Sequence, residues 1–136
     1  MESSNVARTA VEEEELPVAW TTSGSWSHLS RPVRIVAYDR PTLDQVPIAD
    51  VPVDFSKQMV LIAGMGPTIG HDMGIRITRV WRENSRVRVQ EMRLHPGLDR
   101  SASVERSSPW TVVVVPRSEL PIEGYTSKVP HGVMSN

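Results

Sequence analysis

Hydrophobic residues occur along this chain at alternating or consecutive positions, and no window of ten or more residues repeats them every 3.6 positions. Alternation is typical of a half-buried β-strand, and a short apolar run between turn residues is typical of a strand buried on both faces. The segments with these patterns are residues 33–38, 53–63, 75–82, 87–94 and 110–115. The sequence therefore predicts an all-β fold, either a small antiparallel β-sandwich or a partly open barrel, with at most one or two short helices.

Polarity predicts where some of these strands lie in the fold. Residues 59–63 are all apolar, so we expect the strand over 53–63 to be central in its sheet. The strands over 75–82 and 87–94 largely alternate in polarity and are joined by a short polar turn. This arrangement predicts a β-hairpin whose outer face, rich in arginine, lies in solvent.

Charge and turn residues divide the chain into three parts. Residues 1–19 contain four consecutive glutamates and no sustained apolar pattern, so we expect a disordered acidic arm. Residues 20–117 contain the predicted strands and form one β domain, with a single helical turn at 42–46. Residues 118–136 are interrupted by proline and glycine, and we expect an irregular tail. Whether that tail packs on the sheets is left open.

The connection between the central strand and the hairpin is unusually rich in turn formers. Residues 64–74 contain four glycines and one proline, which predicts a hairpin loop without regular structure. Proline and glycine together can fix a protruding loop, and a fixed loop loses less entropy when it binds. We therefore take the middle of this loop as the candidate partner-binding site, namely Gly66, Pro67, Thr68, Ile69, Gly70 and His71.

Composition removes several function classes. Fifteen Lys and Arg residues stand against sixteen Asp and Glu residues, and the net charge of −1 disfavours nucleic acid as a partner. The chain has no cysteine, which excludes disulfides, thiol catalysis and zinc sites that use cysteine. No apolar segment approaches the ~20 residues of a membrane-spanning helix, so we expect no membrane span.

Motifs of catalysis and cofactor binding are missing as well. The four histidines do not have the spacing of common zinc sites, and no nucleotide-binding loop or nucleophile motif occurs. We therefore expect no enzyme activity and no cofactor. A small-ligand or metal site built from His71, Asp72 and His95 stays open as an alternative, because imidazole and carboxylate groups supply complementary chemistry. No spacing forces these three residues together.

Several of these segments, taken in order, resemble a known family. Residues 53–62, the glycine-rich loop that begins at Gly66, residues 75–80 and residues 109–116 are similar to the C-terminal domain of PrcB, a bacterial protease-complex subunit. The resemblance spans about residues 25–117. It implies a non-enzymatic accessory domain that binds and stabilises a peptidase, frequently in an exported or lipid-anchored bacterial protein. The lipobox cysteine and the aromatic residue of the family's loop are missing here.

A shorter likeness points to a different activity. Residues 66–70 are similar to the Asn-Pro-Thr-Thr-Gly loop of chagasin-type inhibitors of cysteine peptidases. This likeness implies a peptidase inhibitor that presents the 64–74 loop. The alternative is a loop whose glycines only satisfy turn geometry.

The sequence thus predicts a protein partner, with a peptidase as the partner that both resemblances imply. The oligomeric state and the identity of that partner are left open. Residues 1–5 lack the basic and apolar regions of a signal peptide, so we expect a soluble chain. An export signal removed from a precursor is the open alternative.

Overall fold

The structure is a computed structural model that describes residues 12–69, 74–94 and 106–134. The described elements are nine strands and one short helix. They are β1 (Glu13–Glu15), β2 (Trp20–Gly24), β3 (Val33–Ala37), α1 (Arg40–Asp44), β4 (Gln58–Gly64), β5 (Thr68–Ile69), β6 (Gly74–Glu83), β7 (Arg86–Leu94), β8 (Arg106–Ser107) and β9 (Trp110–Pro116). The predicted all-β fold is confirmed.

The strands form three antiparallel sheets. One sheet has the order β1-β6-β7, the second has the order β2-β9-β4-β3, and β5 pairs with β8 in a small third sheet. The two larger sheets pack face to face, and their shared core includes Leu61 and Val113 from one sheet with Ile75, Val80 and Val87 from the other. The fold is therefore a sandwich and not a closed barrel.

The four-stranded sheet is buried on both faces. Alternate residues of β4, such as Leu61, face the three-stranded sheet, whereas Val60 and Ile62 face a second core on the opposite side. That second core is covered by Leu43 of α1 and by Val133 near the end of the chain. Burial on both faces explains why β4 is an unbroken apolar run, and its predicted central position is confirmed.

The hairpin and the helix are close to their predicted positions. β6 and β7 pair across a tight turn at Asn84, whose φ of 58° lies in the left-handed region that asparagine tolerates. Helix α1 begins two residues earlier than the predicted turn at 42–46. Its N-cap is Asp39, whose carboxylate accepts a 2.8 Å hydrogen bond from the Thr42 amide.

The prediction of a disordered arm over residues 1–19 is wrong for its described part, residues 12–19. Glu13–Glu15 forms β1 and pairs with β6. Arg79 of β6 forms ion pairs with Glu13 and Glu15, and Arg82 forms one with Glu14. The glutamates that suggested a solvated arm therefore have basic partners on the neighbouring strand.

The C-terminal segment has no extended strand over residues 118–134, and it packs on both large sheets. The Val87 amide of β7 donates a hydrogen bond to the Pro121 carbonyl, and the Val36 amide of β3 donates one to Thr126. Ile122 lies between these two contacts and is buried in the core that the two sheets share. Residues 121–126 therefore bridge the outer strands β7 and β3.

The predicted hairpin loop over 64–74 is also wrong. β4 and β6 lie in different sheets, so the connection between them crosses the sandwich. The reason is that β4 already has β3 on one side and β9 on the other, which leaves no edge for a hairpin partner. Within the crossing, Thr68–Ile69 forms the short strand β5.

Candidate functional site

Two large apolar side chains remain exposed at the end of the sandwich where β4 ends and β9 begins. Ile69 is 72 % exposed and Trp26 is 58 % exposed, the two highest values for large hydrophobic side chains among the described residues. Pro67 is exposed beside them. A cluster of this kind is the ordinary mark of a contact surface, because monomeric proteins seldom leave such side chains together in water.

These side chains line two adjoining clefts, which we call the end clefts. The first has a volume of about 240 Å³ and is lined by Trp26, Ser27, Leu29, Ser30, Pro67, Arg106, Ser107 and Ser108. The second has a volume of about 220 Å³ and is lined by Pro67, Thr68, Ile69 and Arg106. Pro67 and Arg106 belong to both clefts, so the two form one continuous surface.

The backbone that carries Pro67 is held in place by a glycine. Gly66 has a φ of 71°, and a Cβ atom there would lie 2.7 Å from the carbonyl carbon of Arg31. Only glycine accommodates both the left-handed conformation and this close approach. The Met65 amide also donates a 2.9 Å hydrogen bond to the Pro109 carbonyl. Pro67 therefore leaves the sheet in a defined direction.

Ile69 is positioned by the small sheet. Thr68 pairs with Ser107 and Ile69 pairs with Arg106, and the hydroxyl oxygens of Thr68 and Ser107 are 2.6 Å apart. This pairing brings Arg106 into the clefts although it lies far from Ile69 in the chain. The exposed isoleucine thus stands on a hydrogen-bonded strand.

Trp26 is fixed through its backbone. Its carbonyl oxygen accepts a 2.6 Å hydrogen bond from the indole nitrogen of Trp110, which is itself buried. Gly24 leaves room for that indole, since a Cβ atom at this position would lie 2.8 Å from the Trp110 ring. Ser27 is anchored beside it by a buried 2.8 Å hydroxyl contact with Ser108. The side chain of Trp26 therefore projects from a rigid base.

The chemistry of the end clefts suits binding. Among the described lining residues, Arg106 is the one charged side chain, and the His28 ring lies edge-on to the Trp26 ring with their centroids 6.3 Å apart. No ion pair between described residues involves Arg106. The surface offers apolar contact area, hydroxyl groups and one guanidinium group.

A second polar cluster lies away from the clefts, between the two large sheets. Arg34 of β3 donates hydrogen bonds of 2.6 and 2.8 Å to Glu91 of β7, and the Tyr125 hydroxyl donates a third of 2.7 Å. Burial by itself raises the pKa of the Glu91 carboxyl, but these hydrogen bonds lower it below its ordinary value. Burial also raises the pKa of the Tyr125 phenol. The cluster ties both sheets to the C-terminal segment.

Comparison with family models, curated proteins and solved structures gives no match to this chain. The resemblance to the C-terminal domain of PrcB therefore stays a prediction. No helix in the described part of the chain is long and apolar enough to cross a membrane.

The structure brings four of the six predicted site residues together. Pro67, Thr68 and Ile69 line the end clefts, the buried Gly66 precedes them, and Gly70 and His71 lie outside the described residues. Asp72 and His95 of the alternative metal site also lie outside them. Over residues 12–69, 74–94 and 106–134, no group of three or more side chains is arranged to hold a metal ion.

The sequence analysis missed every described lining residue outside the 64–74 loop, and Trp26 and Arg106 are the two largest of them. Trp26 lies in a polar stretch, with glycine and serine before it. An isolated tryptophan in such a stretch could have indicated an exposed binding residue. Arg106 gives no comparable signal. Its place in the site depends on the pairing of β8 with β5, which no local pattern predicts.

Proposed function

We propose that this chain is a non-enzymatic protein-binding module that engages its partner through the end clefts. One observation carries the proposal. Two highly exposed apolar side chains, Ile69 and Trp26, line adjoining clefts, and hydrogen bonds hold the backbone of each. An exposed isoleucine and tryptophan gain free energy when a partner removes them from water. Because their backbone is already ordered, binding costs little additional conformational entropy.

The partner that we propose is a protein with an apolar surface and an acidic group. The apolar part would cover Trp26, Pro67 and Ile69, and a carboxylate would reach Arg106, the one charged side chain of the described lining. A peptidase is the specific partner we propose, on the basis of the resemblance to the C-terminal domain of PrcB. The chain would act as an accessory or stabilising subunit of that peptidase.

The second candidate function is inhibition of the peptidase. The observation in its favour is the exposure of Pro67 and Ile69 on a glycine-fixed segment, which is the shape needed to enter a cleft. The two functions use the same residues, and they differ in what binding does to peptidase activity.

Side-chain replacement in the end clefts tests the proposal. We expect Ile69→Ser and Trp26→Ser to abolish retention of a partner that the immobilised wild-type chain captures from cells of its source. Met92→Ser is the matched control, because Met92 is 48 % exposed and does not line either cleft. Equal capture by all four proteins would contradict a role for the clefts.

An activity assay then separates the two functions. A captured peptidase that keeps or gains activity with excess wild-type chain identifies an accessory subunit, and a peptidase that loses activity identifies an inhibitor. A captured partner that is not a peptidase would contradict the proposed partner and leave the binding site itself supported.

A further inference from the structure

Two buried serine hydroxyls in the first end cleft form a pair that uses only one of its two hydrogens. The hydroxyl oxygens of Ser27 and Ser108 are 2.8 Å apart, and the two residues are 7 % and 2 % exposed. The Ser27 oxygen also accepts a hydrogen bond from the Leu29 amide. Each hydroxyl carries one hydrogen, so only one serine donates to the other at a time. The second hydrogen has no acceptor among the described residues.

This second hydrogen favours an acceptor inside the cleft. A buried donor without an acceptor is unfavourable, because it has lost its contact with water and gained no other partner. Both serines line the first end cleft, and Arg106 lines it with them. The guanidinium group supplies charged donors, which prefer a negatively charged acceptor. No described lining residue is an aspartate or a glutamate, so the cleft is suited to a carboxylate that a ligand brings.

The remaining lining of the first end cleft is mostly apolar. Trp26, Leu29 and Pro67 supply it, and the cleft has a volume of about 240 Å³. A cavity of about 150 Å³ is large enough for a benzene ring, whereas pockets for drug-sized ligands begin at about 300 Å³. The first end cleft therefore has space for one apolar side chain together with a carboxylate.

We propose that the first end cleft binds the C-terminal residue of the partner protein, with its carboxylate at Arg106 and the serine pair. This inference rests on the proposed function, and it specifies which part of the partner enters the site. A C-terminal residue carries its carboxylate and its side chain on the same Cα atom, so both groups fit into one cleft. An internal aspartate or glutamate brings a carboxylate without an apolar side chain on the same residue, so it matches only the polar part of the lining.

The second end cleft continues the site. It shares Pro67 and Arg106 with the first cleft, and it adds Thr68 and the exposed Ile69. A chain whose last residue lies in the first cleft passes along the second, where its preceding side chains cover Ile69. The preferred ligand is thus a peptide with an apolar last residue, a free carboxylate, and apolar residues shortly before its C-terminus.

Peptide binding to the full chain tests the inference without any substitution. The probes are N-terminally labelled pentapeptides, Ser-Leu-Ala-Val-X, in which X is Leu, Ile, Val or Phe. Each is made with a free C-terminal carboxylate and with a C-terminal amide. We expect at least one free acid to bind with a Kd below about 1 mM in fluorescence anisotropy. Its amide should bind about tenfold more weakly, because the amide group has no charge for the guanidinium to pair with.

Three outcomes of the peptide assay overturn the inference. One is equal binding of acid and amide, and another is the absence of binding by every peptide at about 1 mM. The third concerns isocaproate, which has the carboxylate and the branched chain of leucine but no peptide group. If isocaproate binds as tightly as the peptide that ends in leucine, the cleft takes small apolar acids and not the C-terminus of a protein.

Substitution of Arg106 locates the carboxylate. Arg106→Gln should weaken binding of the free acid about tenfold and leave binding of the amide almost unchanged. Arg93→Gln is the matched control, because Arg93 is exposed and lines neither cleft, and it should bind both peptides like the wild type. A damaged fold would weaken binding of acid and amide alike. Equal losses for the two peptides in Arg106→Gln would therefore contradict the assigned contact.

Substitution of the serine pair tests the second contact. Ser27→Ala and Ser108→Ala should each keep most of the affinity for the free acid, because the hydroxyl that remains still donates. The double variant has neither hydroxyl and should bind the free acid about fivefold more weakly. A double variant that binds the free acid like the wild type would contradict the role of the pair.

The capture experiment decides the proposed function separately. If Ile69→Ser and Trp26→Ser abolish capture while acid and amide peptides bind alike, the partner engages the clefts through an internal segment. The inference then fails and the proposed function stands. If capture survives both replacements, the proposed function fails, whichever peptides bind.

Discussion

The two sides of the sandwich are held together by different interactions. On one side, residues 121–126 bridge β7 and β3, and the cluster of Arg34, Glu91 and Tyr125 lies beside them with little exposure to water. On the other side, the chain crosses from β1 to β2, and the Leu16 and Ala19 amides donate to Val80 and Val114. We call these the C-terminal side and the N-terminal side.

Both sides carry ion pairs, but their surroundings differ. The Arg34 and Glu91 side chains are 19 % and 22 % exposed, whereas the glutamates of β1 that pair with Arg79 and Arg82 are largely in solvent. Water and salt screen an exposed pair, so it contributes little to stability. A pair that is mostly shielded is costly to break, because the remaining partner loses its hydrogen bonds. Buried apolar residues therefore stabilise both sides of the sandwich, whereas ion pairs contribute to the free energy of unfolding mainly on the C-terminal side.

The largest expected effect concerns the apolar anchors. Ile122 and Leu16 are both buried in the core between the two sheets, one on each side. We expect Ile122→Ala and Leu16→Ala each to lower the free energy of unfolding by about 2 to 3 kcal/mol, from lost burial and an added cavity. Urea unfolding measures both values. A much smaller effect of Leu16→Ala would mean that the N-terminal side is not anchored as the structure indicates.

The next effect comes from the polar cluster. Glu91→Ala leaves Arg34 without its carboxylate partner, and we expect a loss of about 2 kcal/mol in the free energy of unfolding. Tyr125→Phe removes one hydrogen bond and should cost about 1 kcal/mol. Glu123→Ala is the matched control, because Glu123 also pairs with arginines but in an exposed position. Equal losses for Glu91 and Glu123 would refute the distinction between shielded and exposed pairs.

The pH dependence of stability follows from the same carboxylate. The pKa of Glu91 is lower in the folded chain than its ordinary value of 4.5, so the folded state favours the charged form. Its contribution is fully present above the ordinary pKa and disappears as the pH falls through the lowered folded value. The difference in unfolding free energy between wild type and Glu91→Gln should therefore shrink below pH 4.5. If the difference in unfolding free energy grew as the pH fell, the pKa of Glu91 would be raised in the folded chain and not lowered.

The sequence predicted the strands whose burial leaves a local pattern. β3, β4, β6 and β9 each bury several apolar residues, so periodicity identifies them, and β7 was identified from its partial alternation although only Val87 in it is buried. The missed strands β1, β2, β5 and β8 are short and mostly polar, and they exist because of partners far away in the chain. Glu14 and Arg82, for example, lie 68 positions apart. A local pattern contains no information on such pairing.

The candidate site divides in the same way. Gly66–Ile69 could be selected from turn chemistry alone, because a proline after a glycine marks a fixed and exposed segment. Trp26 and Arg106 join it only through the Trp110 hydrogen bond and the β5–β8 pairing. The crossing of residues 64–74 between sheets was not predictable, since it depends on both edges of β4 being occupied.

The smallest effect on global stability is expected at β1, where the ion pairs are more exposed than the pair between Arg34 and Glu91. Arg79→Gln removes the ion pairs with Glu13 and Glu15, both of which lie in solvent. We expect no measurable change in the urea midpoint, because exposed pairs add little. Local order should respond instead. The hydrogen bond from Arg79 holds the pKa of Glu15 below its ordinary value, because the guanidinium group binds the charged form of the carboxylate.

Salt should therefore loosen β1 without unfolding the chain. We expect the amides of residues 13–15 to exchange faster in 1 M than in about 0.05 M salt, where the screening length falls from more than 10 Å to about 3 Å. In the Arg79→Gln variant, the amides of residues 13–15 should exchange fast at both salt concentrations. The Val36 amide on the C-terminal side, bonded to Thr126, serves as the internal reference and should not respond. If salt accelerated exchange equally at residues 13–15 and at Val36, the two sides would not differ as we expect. Electrostatic attraction, and not burial, would then also hold the C-terminal side in place.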